Sequence, residues 1–444
     1  LLEDIFDEQG KRKDDSDKIR ELATKSLERP DLLEAELPWL VTSENNREHL
    51  FGYELGKIDK EHALFPLISK CQMEPKELAK LSFLGGYLHA MFEDDIEYWE
   101  SRLDQIASEN DFVEKIPELT WRSGMSDRAA DRIMDLIDRG LVDVSDLRFF
   151  TVGTDVRRIS ETVFHRWINA LLSSNNNSAS SVCLYLYWLY YSDEAKSIVM
   201  PIDLTIEVLR KPLLIPSEES GKNQHQMDDY LWAQTANAFI NQHNDKSVEL
   251  FSLAVSEFGN DNHILDIYNS ELDNVLKTVI KLHPTESWEV MAPLLNPPLD
   301  GRGFEIIRWL MGGFFDKNDN PPIFQIPHEL VWPWVDTDRN MRSRVLATFA
   351  PQRFYGPDGK SSITRELLIR YGNDADVRNN LTSNFSTGFW SGPTSQHLQK
   401  KITELTKLRE SESDNNVIIW LDEYLSILKS DLEESLMKEE RDDY

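Results

Sequence analysis

Cysteine is almost absent from this chain of 444 residues, which has only Cys71 and Cys183. Two thiols cannot build a disulfide framework or a structural zinc site, so neither is expected to hold the fold together. No run of about 18 apolar residues occurs, the length a membrane-spanning helix needs. The most apolar stretch, residues 182–191, is too short to span and predicts a buried helix. Positive charge is also scarce: 48 Lys+Arg face 78 Asp+Glu, a formal net charge of −30. Phosphate backbones and anionic bilayers are gripped by clustered cations, so nucleic acid and membrane are poor default partners. The chain opens Leu1-Leu2-Glu3-Asp4, with neither Met nor an apolar signal segment. That start favours a piece of a longer, cytoplasmic protein. The sequons at Asn176, Asn380 and Asn384 are then expected to be chance.

What is present points to helices and a large core. Hydrophobic residues make up 40% of the chain, including 12 Trp, 20 Phe and 13 Tyr, which is enough to exclude global disorder. Apolar residues recur at helical spacing from end to end. Ile19, Leu22, Ala23 and Leu27 form one stripe, and Phe92, Ile96, Trp99, Leu103 and Ile106 form another. Ala130, Ile133, Met134 and Ile137 precede Gly140, which suits a helix-terminating glycine. The second half repeats the habit at Phe251–Phe258, along 265–282, before Gly372, and from Leu421 to Leu436 behind a cap at Asp414, Asn415 or Asn416. Strand signals are weak, and residues 147–152 are the best candidate for a lone strand or irregular connection.

Helices joined by short polar links, without a strict consensus, fit degenerate helix pairs of roughly 40 residues. The expected fold is all-α, a HEAT-like degenerate helical-repeat solenoid in two lobes, each pair burying its apolar face only by stacking on neighbours. The expected division is an N-terminal array over 1–215, a linker over 216–227, a C-terminal array over 228–431 and an acidic tail over 432–444 that frays into solvent.

Catalytic motifs are missing. A P-loop ending in Gly359-Lys360-Ser361 would need glycine at 354, which is Phe354, so residues 356–359 read as a turn. The ten histidines show no metal-binding spacing. Glu93, Asp94, Asp95 and Glu97 are the densest carboxylate cluster, but position 98 is Tyr98, and a solvated helix face is expected. Asp358-x-Lys360 matches half of a nuclease motif without its upstream acid. Arg128, Arg132 and Arg139 alternate with Asp127, Asp131, Asp135 and Asp138, which predicts self-neutralising pairs within one helix. No catalytic, cofactor or metal residue is therefore assigned, and no cofactor is expected. The aromatics Trp332, Trp334, Phe389 and Trp390 remain as structural corners or partner contacts. Treated as buried, Trp390 would cost about 3–5 kcal/mol on replacement by alanine.

Several short segments occur in order in the second half: residues 284–288, Arg308-Trp309-Leu310, residues 326–329, Trp334 with residues 342–347, residues 367–372, residues 384–393, residues 420–425 and Glu439-Glu440-Arg441. With residues 51–59 and 120–124 of the first half, this order resembles the C-terminal helical-repeat regions of large bacterial defence-associated proteins of the STAND NTPase type. The resemblance implies a non-catalytic sensor array that recognises a protein, often a foreign one. Effector and NTPase motifs are absent here, so the resemblance carries none of their activity over. Homo-oligomerisation would run through the missing upstream part. The alternatives are a constitutive scaffold or oligomerisation module, and an unrecognised enzyme with a site assembled from distant residues.

Overall fold

The computed structural model describes residues 16–43, 46–73, 80–108, 112–192, 198–211, 222–256, 270–312, 321–388 and 390–442. The chain is all-α: among the described residues the only β pairing is an isolated antiparallel bridge between Tyr355 and Ser361. Residue contacts divide it into two units, Leu1–Met200 and Pro201–Tyr444. The first holds α1 (Ser16–Glu28), α2 (Pro30–Leu40), α3 (Asn46–Ile58), α4 (Phe65–Met73), α5 (Ser82–Asp94), α6 (Ile96–Ser108), α7 (Ile116–Ser123), α8 (Asp127–Asp138), α9 (Glu161–Ser173) and α10 (Asn177–Tyr191). The second holds α11 (Ile202–Arg210), α12 (Lys222–Gln242), α13 (Ser247–Ser256), α14 (Ser270–Leu282), α15 (Pro284–Met291), α16 (Gly301–Met311), α17 (His328–Thr337), α18 (Arg339–Phe349), α19 (Ile363–Tyr371), α20 (Ala375–Phe385), α21 (Thr394–Ser411) and α22 (Asn415–Asp442).

The division falls upstream of residues 216–227 because α11 packs on α12 and α13. Residues 222–227 begin α12, and 216–221 lie outside the described residues. The acidic tail does not fray at 432. Asp414 accepts from Asn416 N and Val417 N to start α22, which runs on to Asp442, and Glu439 accepts from the backbone N–H and hydroxyl of Ser395. That bond fastens the tail to the start of α21.

Other elements follow the residues that build them. Residues 182–191 lie in α10, where Leu184, Leu186 and Tyr187 are fully buried and Phe164 stacks on Tyr190 at 3.9 Å. Gly140 (φ +69°) ends α8 in the left-handed region, with Gly140 N–H donating to Ile137 O and Leu141 N–H to Leu136 O, a Schellman-type stop. Residues 147–152 form no strand; a 3-10 helix covers Val144–Thr151, started by the Asp143 carboxylate accepting from Ser145 N. The stripe from Phe92 to Ile106 is two helices. Asp95 is extended and its carboxylate accepts from Tyr98 N, so Ile96 turns to solvent. The stripe along 265–282 is helical from Ser270; its earlier part lies outside the described residues.

Helix α3 packs backbone to backbone against α5. A Cβ on Gly52 would sit 2.1 Å from Phe83 O, and one on Gly86 would sit 1.9 Å from His49 O. The two backbones therefore touch where their side chains are missing.

Neighbours alternate along the chain: α3 lies against α1 and α5, α5 against α7, α6 against α8, α13 against α15, and α18 against α16 and α20. Side-chain hydrogen bonds tie consecutive and second-neighbour helices at separations that vary, 23 residues for Trp232–Leu209 and 45 for Arg378–Glu423. Arg166–Asp131, Trp309–Asp273 and Trp167–Ala130 are 35, 36 and 37 residues apart. Asn384–Ala347, Tyr424–Phe385 and Trp420–Arg378 are 37, 39 and 42 apart. The buried Asn384 donates to both Ala347 O and Ala350 O.

Candidate functional site: an apolar trough along the first helices

Two short helix faces left uncovered among the described residues define the site. In α2, Leu33, Leu37 and Leu40 point inward and are buried. Leu32 and Trp39, seven residues apart, share a side of the helix about a third of a turn from that stripe and are 52% and 58% exposed. Helix α2 is thus apolar on two sides, and one core cannot cover both. In α1, Ile19 and Ala23 are buried while Leu22 is 55% exposed. These outward faces of α1 and α2 form the walls of an open trough of about 830 Å³. Leu33, Leu40 and Phe51 contribute its floor. Burying one such side chain is worth roughly 1.5–3 kcal/mol, so leaving three of them in water costs stability that a covering partner would return.

The polar rim is mixed. Lys18, Lys25, Arg47, Glu36 and Glu48 line the trough. Glu48 is buried and accepts from the Ser43 hydroxyl at 2.9 Å. Lys25 holds Glu21 at 2.6 Å in a solvent-exposed pair, and such pairs are weak and exchangeable. Arg20 ties α1 to Glu54 of α3 at 3.1 Å. No sequence motif marks the trough. Leu22 carries helical periodicity, and periodicity assigns such residues to a core. The usable signal is Leu32 and Trp39 lying off the Leu33–Leu37–Leu40 stripe.

The aromatics singled out in the sequence do not gather into one site. Trp332 is buried in α17, with its indole N–H donating to Glu366 Oε2 at 2.7 Å. His328 Nδ1 meets the other oxygen of the same carboxylate at 2.8 Å. Trp334 is half-buried, donates to Ala292 O at 3.1 Å and meets Trp288 edge-on at 5.7 Å. Both are inter-helix staples. Phe389 lies outside the described residues. Trp390 is 44% exposed, so the cost expected for a buried aromatic does not apply to it. It stacks on His397 at 4.5 Å with rings 7° from parallel.

That stack edges a second, smaller pocket of about 350 Å³ that includes Lys401, Tyr424 and Lys438. Burial pushes the Lys401 ammonium below the usual lysine range. Its Nζ donates to Phe385 O and lies 5.4 Å from the Tyr424 ring centre. Tyr424 donates to the same carbonyl at 2.7 Å. Lys401 thus closes the C-terminal end of α20, where a cation is favoured by unpaired carbonyls.

The charged clusters resolve into ion pairs. Glu93 accepts from Tyr53 and Lys57, Asp94 pairs with Lys60, and Glu97 with Arg128. The arginines and aspartates of α8 do not neutralise one another at i, i+4. Arg132 reaches Glu100 and Asp104 on α6, while Asp131, Asp135 and Asp138 all receive Arg166 from α9. Helix α8 lies between two partners, so its long guanidiniums and its carboxylates are drawn outward to different neighbours. Asp358 Oδ1 accepts from Lys360 N within the turn at Gly359 (φ +76°). Among the described residues no group of three or more His, Cys, Asp or Glu is placed to hold a metal ion, and no helix is long and apolar enough to cross a membrane. No family model, no curated protein and no solved structure matches this chain.

Proposed function

We propose that the chain is a HEAT-like array of degenerate helix pairs that acts by holding another protein, with no reaction centre of its own. One feature supports the array: helices that touch their second neighbours. A structure assembled in this way offers long faces for partners. The observation that carries the binding role is the trough whose Leu22, Leu32 and Trp39 stand more than half exposed. Contiguous exposed apolar surface of this kind marks an interaction site. The resemblance to repeat regions of bacterial defence proteins extends the proposal to sensing of a foreign protein by a segment of a larger, cytoplasmic chain.

The test uses the whole chain as bait, as wild type and as Leu32→Glu with Trp39→Glu. Each is challenged with extracts of phage-infected and uninfected bacteria. A protein retained by the wild type and lost from the double variant is expected, and restriction to infected extract supports sensing. Equal retention by both baits, or none by either, rejects the trough as the binding face.

A further inference from the structure

We infer that the pocket lined by α21, α22 and the link before α21 is a covalent capture site, where the Lys401 amine condenses with a small planar aldehyde. The capture is stoichiometric, without turnover, and goes beyond the protein-binding reading above. The pocket has about 350 Å³, the scale of a small molecule. His397 and Lys401 are four residues apart on α21 and share one face of it. His397 lies flat on Trp390, with rings 4.5 Å apart and 7° from parallel. Trp390 is still 44% exposed, so a planar guest can extend that stack.

Lys401 is half-buried in this lining. Among the described residues it joins no ion pair, on a chain of net charge −30. Lys438 of the same pocket is taken by Glu434 at 2.6 Å, and neither Glu434 nor Asp431 bonds Lys401. Its Nζ donates instead to Phe385 O, 6.0 Å from the Phe385 ring centre and 5.4 Å from that of Tyr424. A half-buried amine without a counter-charge gives up its proton more readily than a surface lysine, and burial does push Lys401 below the usual range.

An amine attacks a carbonyl carbon only as the free base. His397 is held below its ordinary value by burial, then by the Lys401 and Lys400 charges, so its neutral ring is the neighbour that takes the ammonium proton. The freed lone pair forms the C–N bond, and the C=O π pair moves to oxygen. That oxygen receives the proton from His397 and a second from nitrogen, and leaves as water while C=N forms. Ammonium and aldehyde thus become iminium and water, with no net proton, oxidant or reductant. The iminium keeps one N–H and the positive charge, so it still donates to Phe385 O and still closes the end of α20. An acyl group would remove that charge, which is why the geometry favours an aldehyde.

The experiment treats the full chain with limiting benzaldehyde and sodium cyanoborohydride, whose hydride reduces C=N and makes the adduct permanent. Peptide mass spectrometry gives the rate at each lysine. Lys401 is expected to be labelled at least about tenfold faster than Lys360, whose side chain is 85% exposed. His397→Gln is expected to slow Lys401 by about tenfold or more, and added imidazole to restore part of the rate. Trp390→Ala is expected to slow benzaldehyde by about threefold or more, and butyraldehyde, which has no ring to stack, by less. Labelling at Lys360 is the internal reference in every variant, and circular dichroism checks that each is folded.

Equal rates at Lys401 and Lys360 overturn the capture site. A fast Lys401 indifferent to both His397→Gln and Trp390→Ala also overturns it, because the reactive amine then lies outside the pocket. A fast Lys401 that is slowed by His397→Gln, yet loses equally toward both aldehydes in Trp390→Ala, overturns the planar guest.

Discussion

Tryptophan shows most clearly how one residue type takes different roles here. Trp167 and Trp420 are fully buried, and each gives its indole N–H to a carbonyl of another helix, Ala130 O and Arg378 O. Such a side chain fills volume and satisfies a backbone acceptor together. Trp390 has neither duty; it lies on His397 with nearly half its surface in water. Trp167→Ala is therefore expected to cost about 3–5 kcal/mol, from lost burial plus the cavity left behind. Trp390→Ala is expected to cost under about 1 kcal/mol, the stacking contribution of an exposed ring. Urea unfolding followed by circular dichroism compares the two, and a large loss for Trp390→Ala would contradict the exposed placement. In the sequence Trp167 lies in a helical apolar stripe that assigns it to a core, whereas Gly392-Pro393 after Trp390 reports a corner and not which way its ring faces.

Helix existence was legible where the apolar pattern was long and uninterrupted, as in α10, or where a stop residue stood behind it, as at Gly140. Boundaries inside a continuous pattern were not. Phe92 and Trp99 both belong to a buried face, so periodicity runs through the break at Asp95, which only its carboxylate bond to Tyr98 N reveals. The pairing of α8 was misread because spacing shows charges on one helix and not the helices beside it. The trough was illegible for a related reason: a leucine left uncovered carries the same letter as a covered one. At this scale the α3–α5 contact gives the sharpest expectation. Gly86→Ala would put a Cβ 1.9 Å from the His49 carbonyl oxygen, a backbone atom that cannot rotate aside. The helices must separate, and a loss of about 3 kcal/mol is expected. Gly140→Ala meets nothing within 4 Å and is charged only for its left-handed backbone, about 1 kcal/mol. Thermal melting of both variants checks the order, and a milder Gly86→Ala would mean the two backbones are not in contact.

Across the molecule, acidification acts through histidines on α3, α9 and α21 and in the link between α3 and α4. Burial lowers His49, His62 and His165 below the ordinary value of 6.5. His397 is lowered by burial and then by Lys401 and Lys400. In each the native state favours the neutral ring. At a pH above 6.5 folded and unfolded chains are both uncharged at these sites, and nothing is lost. Below it the unfolded chain binds protons that the native chain refuses, so stability falls as pH falls. Glu412 acts in a lower window: the Arg365 guanidinium holds it down at about 2, so its contribution disappears only as pH drops below its ordinary 4.5. The urea midpoint is expected to decline from about pH 7 to about pH 5, before carboxylates protonate. His62→Phe should flatten part of that decline. A midpoint that is constant or rises over this range would show that the rings are already charged in the folded state.

The buried amide of Asn384 has a practical consequence for producing this protein. Both amide hydrogens are engaged by Ala347 O and Ala350 O, yet Asn384-Phe385-Ser386 is an acceptor sequence for oligosaccharyl transfer. A host that exports the nascent polypeptide through its endoplasmic reticulum would present that asparagine before the helices close. A sugar attached there replaces one of those hydrogens and occupies the space between α18 and α20. Secretory expression would then yield a chain barred from completing its C-terminal half, which Ser386→Ala would release and bacterial expression would avoid.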